Sequence, residues 1–195
     1  EAIIAGYREN LDAEMNEVLA ISAMPMRKGT PEDLLNNFVA DLVLETARKI
    51  HLQQGLDPID FCVLNYGGLR TSLPQGPVTR SRVFELMPFE NEMIVLSLGP
   101  DVMPQLLDYI ATARTGTPVS GIVVGIKDGL PVNVLINGQA WDPERTYRVV
   151  TSDYLAEGGD NMSFFKDIED KEMVGMRIRD AIIGHLSMVH SQGRM

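Results

Sequence analysis

Apolar side chains recur at helical spacing in several segments of the chain. The longest pattern covers residues 34–52, where apolar residues return every three or four positions. The stretch "TPED" before it offers Thr30 as an N-cap, a proline at the first helical position and an acid near the capping-box position. The same spacing predicts further helices over 2–16, over 101–114 with Asp101 as the cap, and over 174–190.

Short apolar runs bounded by turn residues predict the strands. The runs "VLAISAMPM", "DFCVLN", "MIVLSLG" and "YRVVTS" have strand length, and "VTRSRVFELM" indicates a strand end followed by a short helix. Two Asp-Gly and Asn-Gly pairs, at 128–129 and 137–138, are typical of successive hairpins. This mixture predicts an α/β (α+β) fold, a layered domain with mixed sheets packed between helices. Without a repeat or a linker, we expect one domain over residues 1–195.

Composition and charge exclude several classes of protein. The chain is 45% hydrophobic and 23% charged, which is typical of a globular domain. Its net charge of −10 opposes the phosphate backbone, so we expect no nucleic-acid polymer as a partner. No apolar run approaches the length of a transmembrane segment, and no signal peptide is visible. Since the sequence starts at Glu1 rather than at methionine, we interpret the chain as a processed or trimmed product.

The sequence offers little apparatus for self-contained catalysis. The histidines His51, His185 and His190 lack the spacing of metal ligands, so we expect no metal ion on this chain. The one cysteine, Cys62, lies in an apolar run and is interpreted as a buried hydrophobic residue rather than a nucleophile. Nucleophile-elbow, phosphate-loop and dinucleotide motifs are also absent from the sequence.

Three punctuated segments remain as candidates for a binding site. They are "LNYGGLR" at 64–70, "LMPFEN" at 86–91 and "SDYLAEGGD" at 152–160. Each joins the end of a strand or helix to Gly or Pro and presents an aromatic or charged side chain, as binding loops on a rigid scaffold do. Taken singly, each also has a structural interpretation, as a tight turn, a core aromatic residue or a glycine helix cap.

Together and in this order, the segments resemble the C-terminal domain of the 5′-nucleotidase family, the exported nucleotide and 2′,3′-cyclic-nucleotide hydrolases. The stretch "LLNNFVADLVLETAR" is similar to the family's Gly-Asn-Leu-x-x-Asp-Ala helix, and "NYGGLR" to its Asn-x-Gly-Gly-Ile-Arg loop. "MPFEN" is similar to its Pro-Phe-Gly-Asn segment, and "SDYLAEGGD" to its Phe-Leu-Ala-x-Gly-Gly-Asp-Gly segment. The resemblance covers nearly the whole chain.

The resemblance implies a nucleoside or nucleotide ligand. Phe89 and Tyr154 would be the two aromatic rings that enclose the base, and Asp160 would contact the ribose hydroxyls. Aromatic faces stack on any base, and a carboxylate accepts hydrogen bonds from two hydroxyl donors.

The resemblance implies further contacts from the segment at 64–70. Arg70 would add donors toward the nucleotide, Asn65 would hydrogen-bond the base, and Gly67 and Gly68 would allow close approach of the backbone. The family's basic residue before the first helix corresponds to Arg27 or Lys28, since the spacing of "MRKGTPE" matches neither cleanly, and we assign Arg27.

Four positions depart from the family pattern. Glu90 and Asn36 stand where glycine is usual, Asn161 follows the aspartate where glycine is usual, and Tyr154 replaces phenylalanine but keeps a stacking face.

The resemblance also implies a division of labour between two domains. A metallophosphoesterase domain, in the same chain or in a separate one, would hold a divalent metal pair and hydrolyse the phosphate. Its Asp-x-His and Gly-Asn-His-Glu signatures are not in this sequence, so we expect the chain alone to be inactive on nucleotides. The family implies an exported protein or lipoprotein, periplasmic or on the cell surface. The alternatives are a non-catalytic nucleoside-binding module and a scaffold whose pocket is no longer used.

Overall fold

The computed structural model describes residues 10–192, which form helices packed against mixed sheets. The strands, in chain order, are β1 (Val18–Ser22), β2 (Phe61–Val63), β3 (Gly76–Thr79), β4 (Glu92–Leu98), β5 (Val119–Ser120), β6 (Ile122–Lys127), β7 (Leu130–Ile136), β8 (Gln139–Ala140), β9 (Tyr147–Ser152) and β10 (Lys171–Arg177). The helices are α1 (Leu34–Gln54), α2 (Arg80–Leu86), α3 (Met103–Thr112), α4 (Asp153–Ala156) and α5 (Ile178–Ser191). Residues 10–15 are also helical; the remainder of the helix predicted over 2–16 lies mostly outside the described residues.

A five-stranded sheet in the order β10-β4-β9-β2-β5 forms the centre of the fold. Its β2 and β9 run parallel, whereas β4 is antiparallel to both β9 and β10, and β5 is antiparallel to β2. Two smaller sheets accompany it, β1-β3 and the β6-β7-β8 meander that the Asp-Gly and Asn-Gly pairs predicted. The predicted α/β (α+β) layered fold is therefore confirmed.

The central sheet is buried on both faces and separates two apolar cores. Neighbouring side chains of a strand point to opposite faces, so Val150 of β9 packs into the core under α1, α2 and α5, while Val149 packs into the core under α3 and the β6-β7 hairpin. In β2, Cys62 faces the first core, and Phe61 and Val63 face the second. The interpretation of Cys62 as a buried residue is confirmed, and burial raises the pKa of its thiol.

The strand directions bring four chain segments to one edge of the central sheet. Parallel β2 and β9 end at the same edge, and antiparallel β4 begins there, with Met93 paired to Ser152. Strand β10 ends beside the start of β4, with Arg177 opposite Glu92. The loops after β2 and β9 and the loop before β4 therefore meet, and these loops carry the three candidate segments.

Three predicted helix starts were wrong. Helix α1 is capped by Asp33, whose carboxylate accepts a hydrogen bond from the Leu34 amide (2.7 Å), while the Thr30 hydroxyl donates instead to the Thr115 carbonyl (3.3 Å). Helix α3 begins at Met103 without a side-chain cap, because the Gly99 carbonyl accepts from the Val102 and Met103 amides in place of Asp101.

The helix predicted over 174–190 begins only at Ile178. Residues 171–177 form the edge strand β10, where Met173 pairs with Ile94 of β4. Val174 is buried by strand alternation, which over a few residues imitates the apolar spacing of a helix.

Candidate functional site

A pocket of about 230 Å³ lies at the sheet edge where the three segments meet. Its lining combines two aromatic rings with amide, guanidinium and carboxylate groups, contributed by Asn65, Gly67, Arg70, Phe89, Asn91, Tyr154 and Asp160. Six of these seven were predicted from the sequence, and the structure brings them together although 95 positions separate Asn65 from Asp160.

The segment after β2 forms a tight turn that places Asn65 beside the pocket. Residues Tyr66–Gly68 make one 3-10 turn, closed by a hydrogen bond from the Gly68 amide to the Asn65 carbonyl (3.2 Å). A Cβ atom at Gly68 would lie 2.8 Å from the Asn65 side-chain oxygen, so a side chain here would displace the amide. Gly68 is a buried member of the turn and does not line the pocket; its lack of a side chain leaves room for the Asn65 side chain.

Lys28 braces this turn from outside. Its ammonium donates to the Leu69 carbonyl (2.7 Å) and the Tyr66 carbonyl (3.4 Å), and lies 4.0 Å from the centroid of the Tyr66 ring. Partial burial, and then the positive charge of Arg70, lower the pKa of the Lys28 ammonium. The structure does not bring the predicted Arg27 to the pocket, because its exposed side chain lies outside the lining and the adjacent Lys28 contacts the loop instead.

Asn36 holds the Lys28 segment against helix α1. Its buried side-chain amide accepts a hydrogen bond from the Gly29 amide (3.3 Å) and donates to the Gly29 carbonyl (3.2 Å). Asn36, which stands where the family has glycine, thus binds the loop that precedes the helix through two hydrogen bonds to Gly29.

The segment between α2 and β4 presents Phe89, a residue that is 40% exposed. Its backbone is held by Arg179 of α5, whose guanidinium donates to the Phe89 carbonyl (3.3 Å) and to the Glu90 carboxylate (3.0 Å). Glu90 also pairs with Arg177 (3.2 Å). The guanidinium carbon of Arg70 lies 5.9 Å from the centroid of the Phe89 ring, on the rim of the pocket. The glutamate in place of the family's glycine thus ties the Phe89 segment to α5.

The segment after β9 carries Tyr154 and Asp160. Ser152 caps the short helix α4 by accepting a hydrogen bond from the Leu155 amide (3.2 Å), and Tyr154 in this helix is 44% exposed. The Tyr154 hydroxyl donates to one carboxylate oxygen of Asp160 (2.9 Å) and accepts from the Asp160 amide (3.2 Å). The other carboxylate oxygen accepts from the Asn65 side-chain amide (2.6 Å). Asn65, expected to contact a base, therefore binds Asp160 in this structure.

Gly159 lets the tyrosine ring reach the aspartate. A Cβ atom at this position would lie 2.5 Å from two carbons of the Tyr154 ring, closer than real Cβ contacts approach. The Gly-Gly pair of the sequence motif thus has two separate uses, since Gly158 adopts the left-handed backbone (φ 87°) and Gly159 provides space for the ring.

The lining suits recognition of a small polar and aromatic ligand. Two exposed ring faces offer stacking surfaces, the carboxylate and side-chain amides offer hydrogen bonds, and Arg70 supplies positive charge.

Among residues 10–192, no group of three or more His, Cys, Asp or Glu side chains is arranged to hold a metal ion. Within the same part of the chain, no helix combines the length and apolarity needed to cross a membrane.

Sequence reasoning missed one residue of the pocket lining, and of two adjacent basic residues it assigned Arg27, whereas Lys28 contacts the loop. Asn91 lines the pocket at the start of β4, where its carbonyl accepts a hydrogen bond from the Ile178 amide (3.0 Å). It closes the quoted motif "MPFEN" and could have been chosen from it. For the basic residue, the motif left both Arg27 and Lys28 open, since only the fold shows which of two adjacent side chains turns toward the loop.

Fold and pocket together define a layered α/β domain with a loop-built pocket at one sheet edge. The chain belongs to the 5′-nucleotidase C-terminal domain family, whose family model, "5'-nucleotidase, C-terminal domain", matches residues 13–167.

Known relatives of this chain are longer than the chain itself. An apyrase from Tabanus yao is 25% identical over 203 residues, covering 92% of this chain and 37% of the apyrase. Protein UshA from Escherichia coli strain K12 is 31% identical over 109 residues, covering 52% of this chain and 19% of UshA. The crystal structure of a 5′-nucleotidase precursor from Thermus thermophilus superimposes with a TM-score of 0.76 at 23% identity, covering 96% of this chain and 39% of that one, and shares its fold. The chain spans less than two fifths of each of these proteins.

Proposed function

We propose that this chain is the nucleotide-recognising domain of a 5′-nucleotidase-type hydrolase. The base would lie between the rings of Phe89 and Tyr154, and the ribose hydroxyls would be bound by Asp160. The observation that supports this proposal is the pocket itself, which collects two exposed aromatic rings and a carboxylate from segments far apart in the sequence.

The two rings account for base binding without selecting a particular base. Stacking of a base on an aromatic side chain contributes roughly 1 to 3 kcal/mol per ring. The cost of association offsets much of this gain, so we expect a dissociation constant on the order of millimolar to high micromolar for a free nucleoside. Arg70 on the rim would add a charged contact for the phosphate of a nucleotide.

Hydrolysis would be supplied by a metallophosphoesterase domain, in the same chain or in a separate one. In two-metal phosphoesterases the metal pair stabilises both the attacking and the leaving oxygen, and this chemistry needs a set of carboxylate and histidine ligands. The family membership supports such a partner, and the relatives named above extend well beyond the region that this chain matches. On the same grounds, we propose an exported location, in the periplasm or at the cell surface.

Calorimetric titration with adenosine and with 2′,3′-dideoxyadenosine tests this function. We expect the unsubstituted chain to bind adenosine more tightly, because only adenosine offers ribose hydroxyls to Asp160. Asp160→Ala should lower the affinity for adenosine roughly threefold to tenfold and leave that for the dideoxy compound nearly unchanged. Asp108→Ala, which removes an equally charged but exposed side chain from α3, is the matched control and should change neither affinity.

Two results would contradict the proposal. If several millimolar adenosine produced no binding heat, the pocket would not be a nucleoside site, and the chain would fit the scaffold alternative. If Asp160→Ala weakened both ligands equally, the carboxylate would have no part in recognising the ribose.

A further inference from the structure

We propose that the Tyr154 hydroxyl, separately from the ring that carries it, sets the selectivity of the pocket for ligands with a vicinal cis-diol. The hydroxyl would do this by fixing the orientation of the Asp160 carboxylate. This inference rests on the proposed function and extends it to a group that a phenylalanine at this position would lack.

The first support is a closed pair of hydrogen bonds between the two residues. The Tyr154 hydroxyl donates to Asp160 Oδ1 (2.9 Å), and the Asp160 amide donates back to the same hydroxyl oxygen (3.2 Å). The tyrosine proton is thereby committed to the carboxylate, because a phenol has only one proton to donate. The hydroxyl therefore acts on a ligand through Asp160.

The Asp160 carboxylate keeps free hydrogen-bond acceptor positions for a ligand. A carboxylate offers about four acceptor positions, two on each oxygen. Tyr154 occupies one on Oδ1, and the Asn65 amide occupies one on Oδ2 (2.6 Å). Each oxygen keeps one free acceptor position, so the carboxylate can receive two hydroxyl donors side by side. Adjacent cis hydroxyls, as on the 2′ and 3′ carbons of ribose, match this pair.

The backbone conformation of Asp160 explains why the Tyr154 hydroxyl is needed in addition to the Asn65 amide. Asp160 adopts the left-handed conformation (φ 49°, ψ 35°), which costs free energy in any residue other than glycine. The next residue, Asn161, is also left-handed (φ 66°). Because the Tyr154 hydroxyl binds both the amide and the carboxylate of Asp160, it holds backbone and side chain of this strained position together.

Tyr154→Phe isolates the hydroxyl, since it keeps the stacking face and removes one oxygen atom. We expect the affinity for adenosine to fall roughly threefold to tenfold while that for 2′,3′-dideoxyadenosine changes less than about twofold. Tyr66→Phe is the matched control: it deletes the same atom from a neighbouring loop, where Lys28 contacts the ring, and should leave the ratio of the two affinities unchanged.

Hydrogen exchange provides a second readout, because it reports on the bond between the Asp160 amide and the Tyr154 hydroxyl in the protein without ligand. The Asp160 amide should exchange its hydrogen with solvent about tenfold faster in Tyr154→Phe than in the unsubstituted chain, because its acceptor is gone. Equal urea denaturation midpoints for the two proteins would show that the substitution leaves the fold intact.

The outcomes separate this inference from the proposed function. If the unsubstituted chain prefers adenosine and Tyr154→Phe keeps the same preference, the hydroxyl has no role in selectivity and this inference is overturned while the function stands. An unchanged exchange rate at Asp160 would overturn it as well. If the unsubstituted chain binds neither nucleoside, the proposed function fails and the selectivity claim fails with it.

Discussion

At the scale of single residues, the pocket depends on small side chains that make room for larger ones. Gly159 leaves space for the Tyr154 ring, and Gly68 leaves space for the Asn65 side chain. Both large side chains then meet at Asp160, through hydrogen bonds of 2.9 Å and 2.6 Å. The carboxylate is therefore positioned before any ligand arrives, which lowers the cost of ordering on binding.

Gly159→Ala tests this arrangement at one atom. The added methyl group would lie 2.5 Å from the Tyr154 ring, so the ring must leave its place, and the affinity for adenosine should fall about tenfold, roughly one stacking contribution. Gly184→Ala in α5 is the control, because no atom lies within 4 Å of its added Cβ. That substitution should preserve binding and raise the free energy of unfolding by about 0.5 to 1 kcal/mol. Wild-type binding by Gly159→Ala in the same titration would refute the packing argument.

The buried thiol of Cys62 makes the stability dependent on pH. Burial, and secondarily the charge of Asp41, raise the pKa of this thiol above its ordinary value of 9.0. The unfolded chain releases the proton first, so stability contributed by the neutral thiol is complete below pH 9 and is lost as the pH rises further. Between pH 8 and pH 10, the free energy of unfolding should fall by about 1.4 kcal/mol more in the unsubstituted chain than in Cys62→Ala. Urea denaturation under reducing conditions measures the free energy of unfolding of both proteins. If it fell in parallel with pH in the two proteins, the thiol would not be a buried ionisable group.

The sequence was more informative about which residues form the pocket than about how they are held. Phe89, Tyr154 and Asp160 could be chosen because they lie in short motifs next to strand ends. Their partners could not, since the contact between Asn65 and Asp160 joins residues 95 positions apart. The assignment of Arg27 rather than Lys28 has the same origin, because motif spacing does not fix the direction of a side chain.

At the scale of elements, the Phe89 segment is fixed by helix α5 rather than by its own sequence. Arg179 is 5% exposed, donates to the Phe89 carbonyl and pairs with Glu90, and its guanidinium carbon lies 4.2 Å from the centroid of the Phe84 ring. This anchor was not predicted, because the edge strand β10 looked like part of the final helix. With α5 beginning at Ile178, Arg179 lies in its first turn beside the start of β4.

Arg179→Gln should therefore act on both stability and binding. Removing the guanidinium leaves the partly buried backbone carbonyl of Phe89 without its donor, so the free energy of unfolding should fall by about 1 to 3 kcal/mol. The affinity for adenosine should fall too, because the Phe89 ring loses its support. Arg177→Gln is the matched control: its pair with Glu90 is exposed, and its loss should cost less than about 1 kcal/mol. Equal effects of the two substitutions, measured by denaturation and titration, would show that Arg179 is no special anchor.

At the scale of the whole molecule, strand direction explains how the site is assembled. The burial of β2, β4 and β9 could be predicted from their apolar runs, and so could the layered architecture. The strand order could not, because the parallel pairing of β2 with β9 and the insertion of β9 between β2 and β4 depend on contacts between distant residues. The family resemblance supplied what local patterns lacked, and residues 13–167 match that family.

For the molecule as a whole, the sequence also predicts whether the chain can release phosphate from a nucleotide. We expect the purified chain to release no phosphate from adenosine monophosphate, with or without added divalent metal, because its sequence contains none of the two-metal ligand signatures. Phosphate release is measured on preparations of the unsubstituted chain and of Asp160→Ala purified in parallel. Metal-dependent release that persists through further purification, and that Asp160→Ala lowers about threefold or more at subsaturating adenosine monophosphate, would place hydrolysis on this chain and contradict the division of labour.

Intermolecular nuclear Overhauser effects test whether a base lies between the rings of Phe89 and Tyr154, as we propose. With adenosine near its dissociation constant, we expect effects from the adenine H2 and H8 protons to the ring protons of both Phe89 and Tyr154. Tyr154→Ala should reduce the effects to Phe89 about fivefold at the same adenosine concentration, because a single ring binds about tenfold more weakly and fewer protein molecules carry the ligand. If adenine gave effects to neither ring, or gave them to the groove near Asp101 and Asp170 instead, the base would not lie between these two rings.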